Sequence, residues 1–388
     1  MAREYIPLSV PNLKGNELDY VIDAVKTEWV SSGGSYINDF EAKIAEYVGV
    51  EEAVAVQSGT AALHLSLMEA GVEYGEEVIA PTLTFIAAVN PIRYCGAEAV
   101  FMDCDDSLCM DPVKLEKFLR VECDFEDGVV INKETGKRIR ALMVVHVFGN
   151  LADMEAIMKL AEEFDLKVIE DATEALGSVY REGAYAGKTA GTIGHFGAYS
   201  FNGNKIMTTG GGGMIVARDL DELRHMRYLS TQAKDNPTNF IHGDVGYNYR
   251  MTNLQAALGL GQVEQLDTFV ATKKRNYELY AELFAGNKHV RLLPFREGID
   301  SNYWFYALYV EGDRDIQAIM DALQEKQIQT RPIWGLIHEQ KPYIGTQTYQ
   351  IEAATRYAKH VINIPCSTNL PEEDVRYVAE CINELLAE

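Results

Sequence analysis

Gly197-Ala-Tyr-Ser-Phe-Asn-Gly-Asn-Lys205-Ile-Met-Thr-Thr-Gly-Gly-Gly-Gly213 sets one lysine between a short aromatic strand and a run of four glycines. A loop lysine solvated by water is the ordinary reading. The neighbours change that reading. Ser200 offers a hydroxyl five residues earlier, and glycines let backbone come close to a bulky ligand. A lysine desolvated among such groups can lose its proton and form a Schiff base with a carbonyl. The question for the remaining chain is whether it supplies the other parts of such a site.

Working outward, apolar runs alternate with helical periods. Ala53–Val56, Glu77–Ala80, Ala99–Met102, Ala141–Val147, Lys167–Asp171 and Met214–Ala217 read as strands. Between them, 37–48, the stretch opened by Ser58-Gly-Thr-Ala-Ala, and 153–164 read as helices. This alternation predicts an α/β fold with a mainly parallel sheet covered on both faces. At the N-terminal side, Leu18, Val21, Ile22 and Val25 have helical spacing within 13–26. The segment 251–283 reads as mostly helical and bridging. A smaller α/β unit comes next, with a strand at 304–310, a helix at 315–325, Arg331-Pro-Ile-Trp334, and a closing helix at 372–386. The charged stretch 122–140 reads as an exposed hairpin or loop. The expected division is a large domain over 1–260 and a bridging helix with a small domain over 261–388.

The chain has 388 residues, 47% of them hydrophobic and 24% charged, which suits a globular protein with a large core. Its formal net charge of -23 argues against nucleic acid or an anionic membrane as partner. Met1-Ala-Arg-Glu-Tyr5 lacks the pattern of a secretory leader, and no apolar run has the length of a membrane span. Six cysteines without C-x-x-C spacing read as reduced thiols in a cytoplasm. Cys104 and Cys109 could pair, but packing accounts for them as well.

Four further places can carry chemistry. Ser58-Gly59-Thr60 stands after a strand and opens a helix, where free amides suit a phosphate; simple capping is the alternative. Asp171 ends a strand where an open sheet places its ligand crevice. It either caps a helix from Ala172 onward or pairs with a protonated pyridine nitrogen, as pyridoxal phosphate would offer. Glu174, three residues on, contacts ring substituents or is solvated. Phe85, at another strand end, stacks on a planar ring or packs in the core. Gly210 to Gly213 precedes a strand and does not form the dinucleotide fingerprint. His146 and His195 lie in no metal-ligand spacing, so no metal is expected.

Taken in order, SGTAAL, APTLTF, EDATEALG and SFNGNK resemble the sugar aminotransferases of the DegT/DnrJ/EryC1/StrS family over nearly the whole chain. The resemblance implies the aspartate-aminotransferase-like fold (fold type I), with a seven-stranded, mainly parallel sheet, and pyridoxal 5′-phosphate as cofactor. It implies that Lys205 is the Schiff-base lysine and Asp171 the partner of the ring nitrogen. Phe85 is then the stacking aromatic, and Gly59, Thr60 and Ser200 are phosphate ligands. Asn248, with Asn253 as the alternative, is implied to reach the phosphate from a second subunit of a homodimer. Glu174 occupies a variable cofactor-side position. Trp29, Ser31, Arg250, Arg331 and His338 border the implied substrate channel. Within the family the chain is most similar to 4-aminotransferases of the legionaminic acid and bacillosamine pathways. That implies L-glutamate as donor and UDP-4-keto-6-deoxy-GlcNAc as acceptor. A C-3 aminotransferase, a GDP-perosamine-synthase-like enzyme and a non-catalytic scaffold are the alternatives.

Overall fold

Short, nearly fully buried apolar runs build the main sheet of the computed structural model, which describes residues 4–236 and 238–387. Residues 1–3, the head of the stretch read for a leader, and residue 388 lie outside the described residues. The strands are β1 (Val54–Val56), β2 (Glu77–Pro81), β3 (Glu98–Met102), β4 (Arg138–Val145), β5 (Lys167–Asp171), β6 (Phe196–Ser200) and β7 (Gly213–Ala217). They lie in the order β1-β7-β6-β5-β4-β2-β3. From β2 to β6 all neighbours are parallel, whereas β7 runs antiparallel to both β6 and β1. Helix starts between them reflect local chemistry: the Ser58 hydroxyl accepts the Ala61 N–H at 3.1 Å, and the Asp153 carboxylate accepts that of Ala156 at 3.1 Å.

The sheet has ten strands, three beyond the seven expected. The charged stretch is a hairpin, and its strands Cys123–Glu126 and Val129–Asn132 add antiparallel to the side of β4. Thr348–Tyr349 returns from the C-terminal region and pairs with β3, covering an edge that would otherwise expose unpaired amides.

A second sheet contains Val290–Leu292, Tyr306–Val310, Val361–Ile364 and Arg331–Pro332, in that order and all antiparallel. The helices Ile316–Glu325 and Glu372–Leu386 accompany it, and the helix Leu266–Leu283 packs on the latter. Residues 6–8 hydrogen-bond to this unit. Ile6 N–H donates to Gln327 O at 2.8 Å, and Cys366 N–H donates to Leu8 O at 2.8 Å. The expected division after residue 260 falls inside the helix Asn253–Val263; we propose to move it to the turn before Leu266.

The helix Glu17–Lys26 departs from its pattern. Of its four apolar residues at helical spacing, Leu18, Ile22 and Val25 are exposed and Val21 is half-buried, whereas Glu17 and Ala24 are buried. The reason is polar: the Glu17 carboxylate accepts the side-chain amides of Gln262 and Gln265, each at 2.6 Å. All six cysteines are unpaired. Among the described residues no helix is long and apolar enough to cross a membrane, and no group of side chains could hold a metal ion.

Gly197 is required by a close approach of backbone. A Cβ there would lie 1.9 Å from the Gly191 carbonyl oxygen. Gly197→Ala is expected to cost about 2–3 kcal/mol or to prevent folding. At Gly203 a Cβ meets nothing within 4 Å, so Gly203→Ala should stay within about 0.5 kcal/mol. Urea unfolding monitored by circular dichroism checks both.

Candidate active site

The carboxyl ends of β1, β2, β5 and β6 open on one cavity of about 700 Å³, where an open parallel sheet gathers its ligands. Gly59, Thr60, Phe85, Asp171, Glu174, Ser200, Lys205 and Arg331 all line it.

At one end, the helix Gly59–Glu69 points its N-terminus into the cavity. Ser58 caps Ala61, which leaves the Gly59 and Thr60 amides without a partner in the helix. A Cβ on Gly59 would come 2.9 Å from Ser200 Cβ and 3.0 Å from Thr173 Cγ2. The absent side chain therefore keeps an amide-lined cradle open beside the Ser200 hydroxyl. That donor set fits a phosphate.

At the other end lie two buried carboxyls and the lysine. Asp171 accepts the Thr173 N–H at 3.0 Å, and burial raises its pKa above the usual carboxylate range. Glu174, 4% exposed, accepts the Phe148 N–H at 2.9 Å and lies 3.5 Å from Lys205 Nζ. Burial pushes its pKa up to about 7, against the pull of the Lys205 ammonium. Lys205 Nζ also stands 4.1 Å from the centre of the Trp304 ring, whose Nε1–H donates to Asn204 O at 2.8 Å. A cation over an indole face is held electrostatically. Phe85 is 53% exposed, so it is not a core residue and presents a free face to the cavity. Amides for a phosphate, a carboxylate for a ring nitrogen, an open aromatic face and a half-enclosed amine together fit pyridoxal phosphate.

Other expected residues stand elsewhere. Arg250 does not line the cavity: its guanidinium is buried and paired with Glu41, with Ala55 O at 3.2 Å. His338 lies behind the wall, its Nδ1 2.6 Å from the Thr82 hydroxyl. The Trp29 and Ser31 carbonyls accept from Asn253, at 2.7 Å and 2.6 Å, so this asparagine fixes a loop outside the cavity. Asn248 is exposed and does not line its own chain's cavity.

Sequence reasoning missed Trp304 and Asn363, which stand on the cavity wall with Trp334. Trp304 carries no local signal. Asn363 does, as a polar residue in the apolar strand Val361–Ile364; its Oδ1 is buried without a partner.

The sequence model of the DegT/DnrJ/EryC1/StrS aminotransferase family matches residues 11–383. The chain is 38% identical over 392 residues to GDP-perosamine synthase of Caulobacter vibrioides, covering 98% of each chain. It is 26% identical over 390 residues to the UDP-4-amino-4,6-dideoxy-N-acetyl-beta-L-altrosamine transaminase of Campylobacter jejuni, covering 98% of this chain and 97% of that one. Among solved structures, the aminotransferase TlmJ from Streptoalloteichus hindustanus superposes with a TM-score of 0.88 at 27% identity, over 99% of both chains.

The Glu174 environment has a consequence for stability. Its pKa is about 7 when folded against an ordinary 4.5. Between those values the folded protein keeps a proton that the unfolded chain has released, so its burial costs more as pH rises. Glu174→Gln removes that cost. Without cofactor, its Tm relative to the wild type should climb between about pH 5 and about pH 8, by the equivalent of ~2 kcal/mol. A difference that stays flat with pH, read by calorimetry, would contradict the buried-carboxyl assignment.

Proposed function

The chain belongs to the DegT/DnrJ/EryC1/StrS aminotransferase family, and from that premise we propose that it moves an amino group from L-glutamate to C-4 of a nucleotide-linked 4-keto-6-deoxy-hexose. At the coarser level it is a pyridoxal-phosphate-dependent sugar-nucleotide aminotransferase. The observation that carries the residue assignment is Lys205 Nζ, held between Glu174 Oε1 at 3.5 Å and the Trp304 ring at 4.1 Å.

Pyridoxal phosphate, when bound, supplies an electrophilic carbon and a ring that takes up an electron pair. The Gly59 and Thr60 amides, with the Thr60 and Ser200 hydroxyls, would hold its phosphate. Phe85 would cover one ring face. The Asp171 carboxylate would keep the ring nitrogen protonated by accepting its hydrogen bond, which its buried setting strengthens. Lys205 would take a proton from the donor's α-carbon at Nζ and return it on the other side of the exchange. Glu174, with its pKa near neutrality, is placed to trade a proton with that amine. The Arg331 guanidinium donates to the carbonyl of its neighbour Thr330 at 3.2 Å and has no ion pair among the described residues, which leaves its charge for a carboxylate or diphosphate.

Two nucleotides remain in play. The 38% identity to a protein named for GDP-perosamine favours a GDP-linked acceptor. The UDP-linked, N-acetylated acceptor has the support of the 26% identical transaminase named for a UDP-4-amino sugar. A homodimer accounts for Asn248, which is exposed away from its own cavity, and for the exposed Leu18, Val25 and Trp29. We assign Asn248, with Trp29 and Ser31, to the cavity of a second copy. The unpaired cysteines support a cytoplasmic setting.

The test is a glutamate-dependent assay with GDP- and UDP-linked 4-keto-6-deoxy sugars, the position of the new amine being read by NMR. A C-4 amine from one of them is the expected product; an amine at C-3, or none, overturns the proposal. Lys205→Ala should lose the visible absorption of the loaded protein and at least roughly 10³-fold in rate.

A further inference from the structure

Lys273 is the most anomalous side chain outside the cavity. It sits in the helix Leu266–Leu283, is 2% exposed, and has no carboxylate within ion-pair reach among the described residues. Lysine is almost never buried unless paired, because an unpaired charge away from water is costly. Burial accordingly pulls its pKa below the ordinary lysine range.

Backbone carbonyls hold the ammonium. Nζ donates to Trp304 O at 2.8 Å and to Cys366 O at 2.5 Å, and stands 5.8 Å from the centre of the Tyr306 ring. The first acceptor belongs to the tryptophan whose indole lies against Lys205 Nζ. Trp304 is fixed at three further points: its N–H donates to Asn302 Oδ1 at 2.9 Å, its Nε1–H to Asn204 O at 2.8 Å, and its ring stacks on Phe305 at 4.0 Å. The indole can stabilise a cation at Lys205 only while that placement holds.

We propose that Lys273 is a positioning residue for the Lys205 amine, acting through Trp304. Its ammonium pins the Trp304 carbonyl and thereby the indole. This rests on Lys205 being the cofactor-binding lysine.

The experiment is a pH titration of the visible absorption of the cofactor-loaded protein, in the wild type and in Lys273→Met. Losing the pinned indole destabilises the cation, so the midpoint should fall by about half a pH unit or more. A direct charge effect has the opposite sign, because removing a nearby positive charge raises the midpoint. Lys273→Arg should restore it to within about 0.2 unit, and in a Trp304→Phe background Lys273→Met should produce no further fall. A midpoint that is unchanged while Tm drops reduces Lys273 to a structural role and overturns the proposal, as does a rise. If Lys273→Met does not fold, Lys273→Leu, which also lacks a donor, carries the same test: an unmoved midpoint there overturns it too. Failure of the underlying reading is visible separately, as a visible band that survives Lys205→Ala.

Discussion

One buried carboxylate holds the catalytic edge of the sheet together. Glu170 is fully buried at the end of β5, and its oxygens accept from His146 Nε2 at 2.8 Å and from the amides of Gly191, Ile193 and Gly194. The Ala152 N–H donates to His146 Nδ1 at 3.1 Å, so the ring proton of a neutral imidazole sits on Nε2, facing Glu170. Burial alone would raise the Glu170 pKa; the imidazole and the loop amides hold it below the usual range. Such a charge is tolerable only when fully answered. Answering it fixes the end of β4, the end of β5 and the loop before β6 relative to one another. Asp171 is the next residue, and its place in the cavity depends on that knot.

The second constraint is the meeting of the two sheets at Lys205. The large sheet delivers the lysine and the carboxyls, and the smaller unit delivers Trp304, Arg331 and Asn363 to the opposite wall. Neither unit forms the cavity alone. Phe148 sits where they touch, with a left-handed backbone (φ 59°) that costs free energy for a non-glycine residue. In that conformation its N–H donates to Glu174 while its ring packs 4.8 Å from Trp334.

Much of the fold was legible in the sequence, because strand and helix periods are local. Lys167–Asp171 and the helix 372–386 match their readings to the residue. The misreadings have a common cause. An apolar stripe such as Leu18, Ile22 and Val25 states that a face avoids water, not what covers it. Here the Glu17–Gln262–Gln265 contacts decided which side of that helix turned inward. Arg250 and Asn253 show the same ambiguity, each engaged with Ala55 O or with the Trp29 and Ser31 carbonyls: a basic or amide side chain near a site motif is equally useful to the backbone around it.

By itself, then, the sequence determined the strand–helix alternation, the glycine-flanked lysine, and the residues at strand ends, since each depends on spacing within a few residues. Only the tertiary structure decided which of these converge. It placed Glu174 against Lys205, brought Trp304 from about a hundred residues away onto the same amine, and buried Lys273 behind it. These are long-range contacts, set by how two sheets pack. No local pattern encodes a partner that the chain meets only after folding.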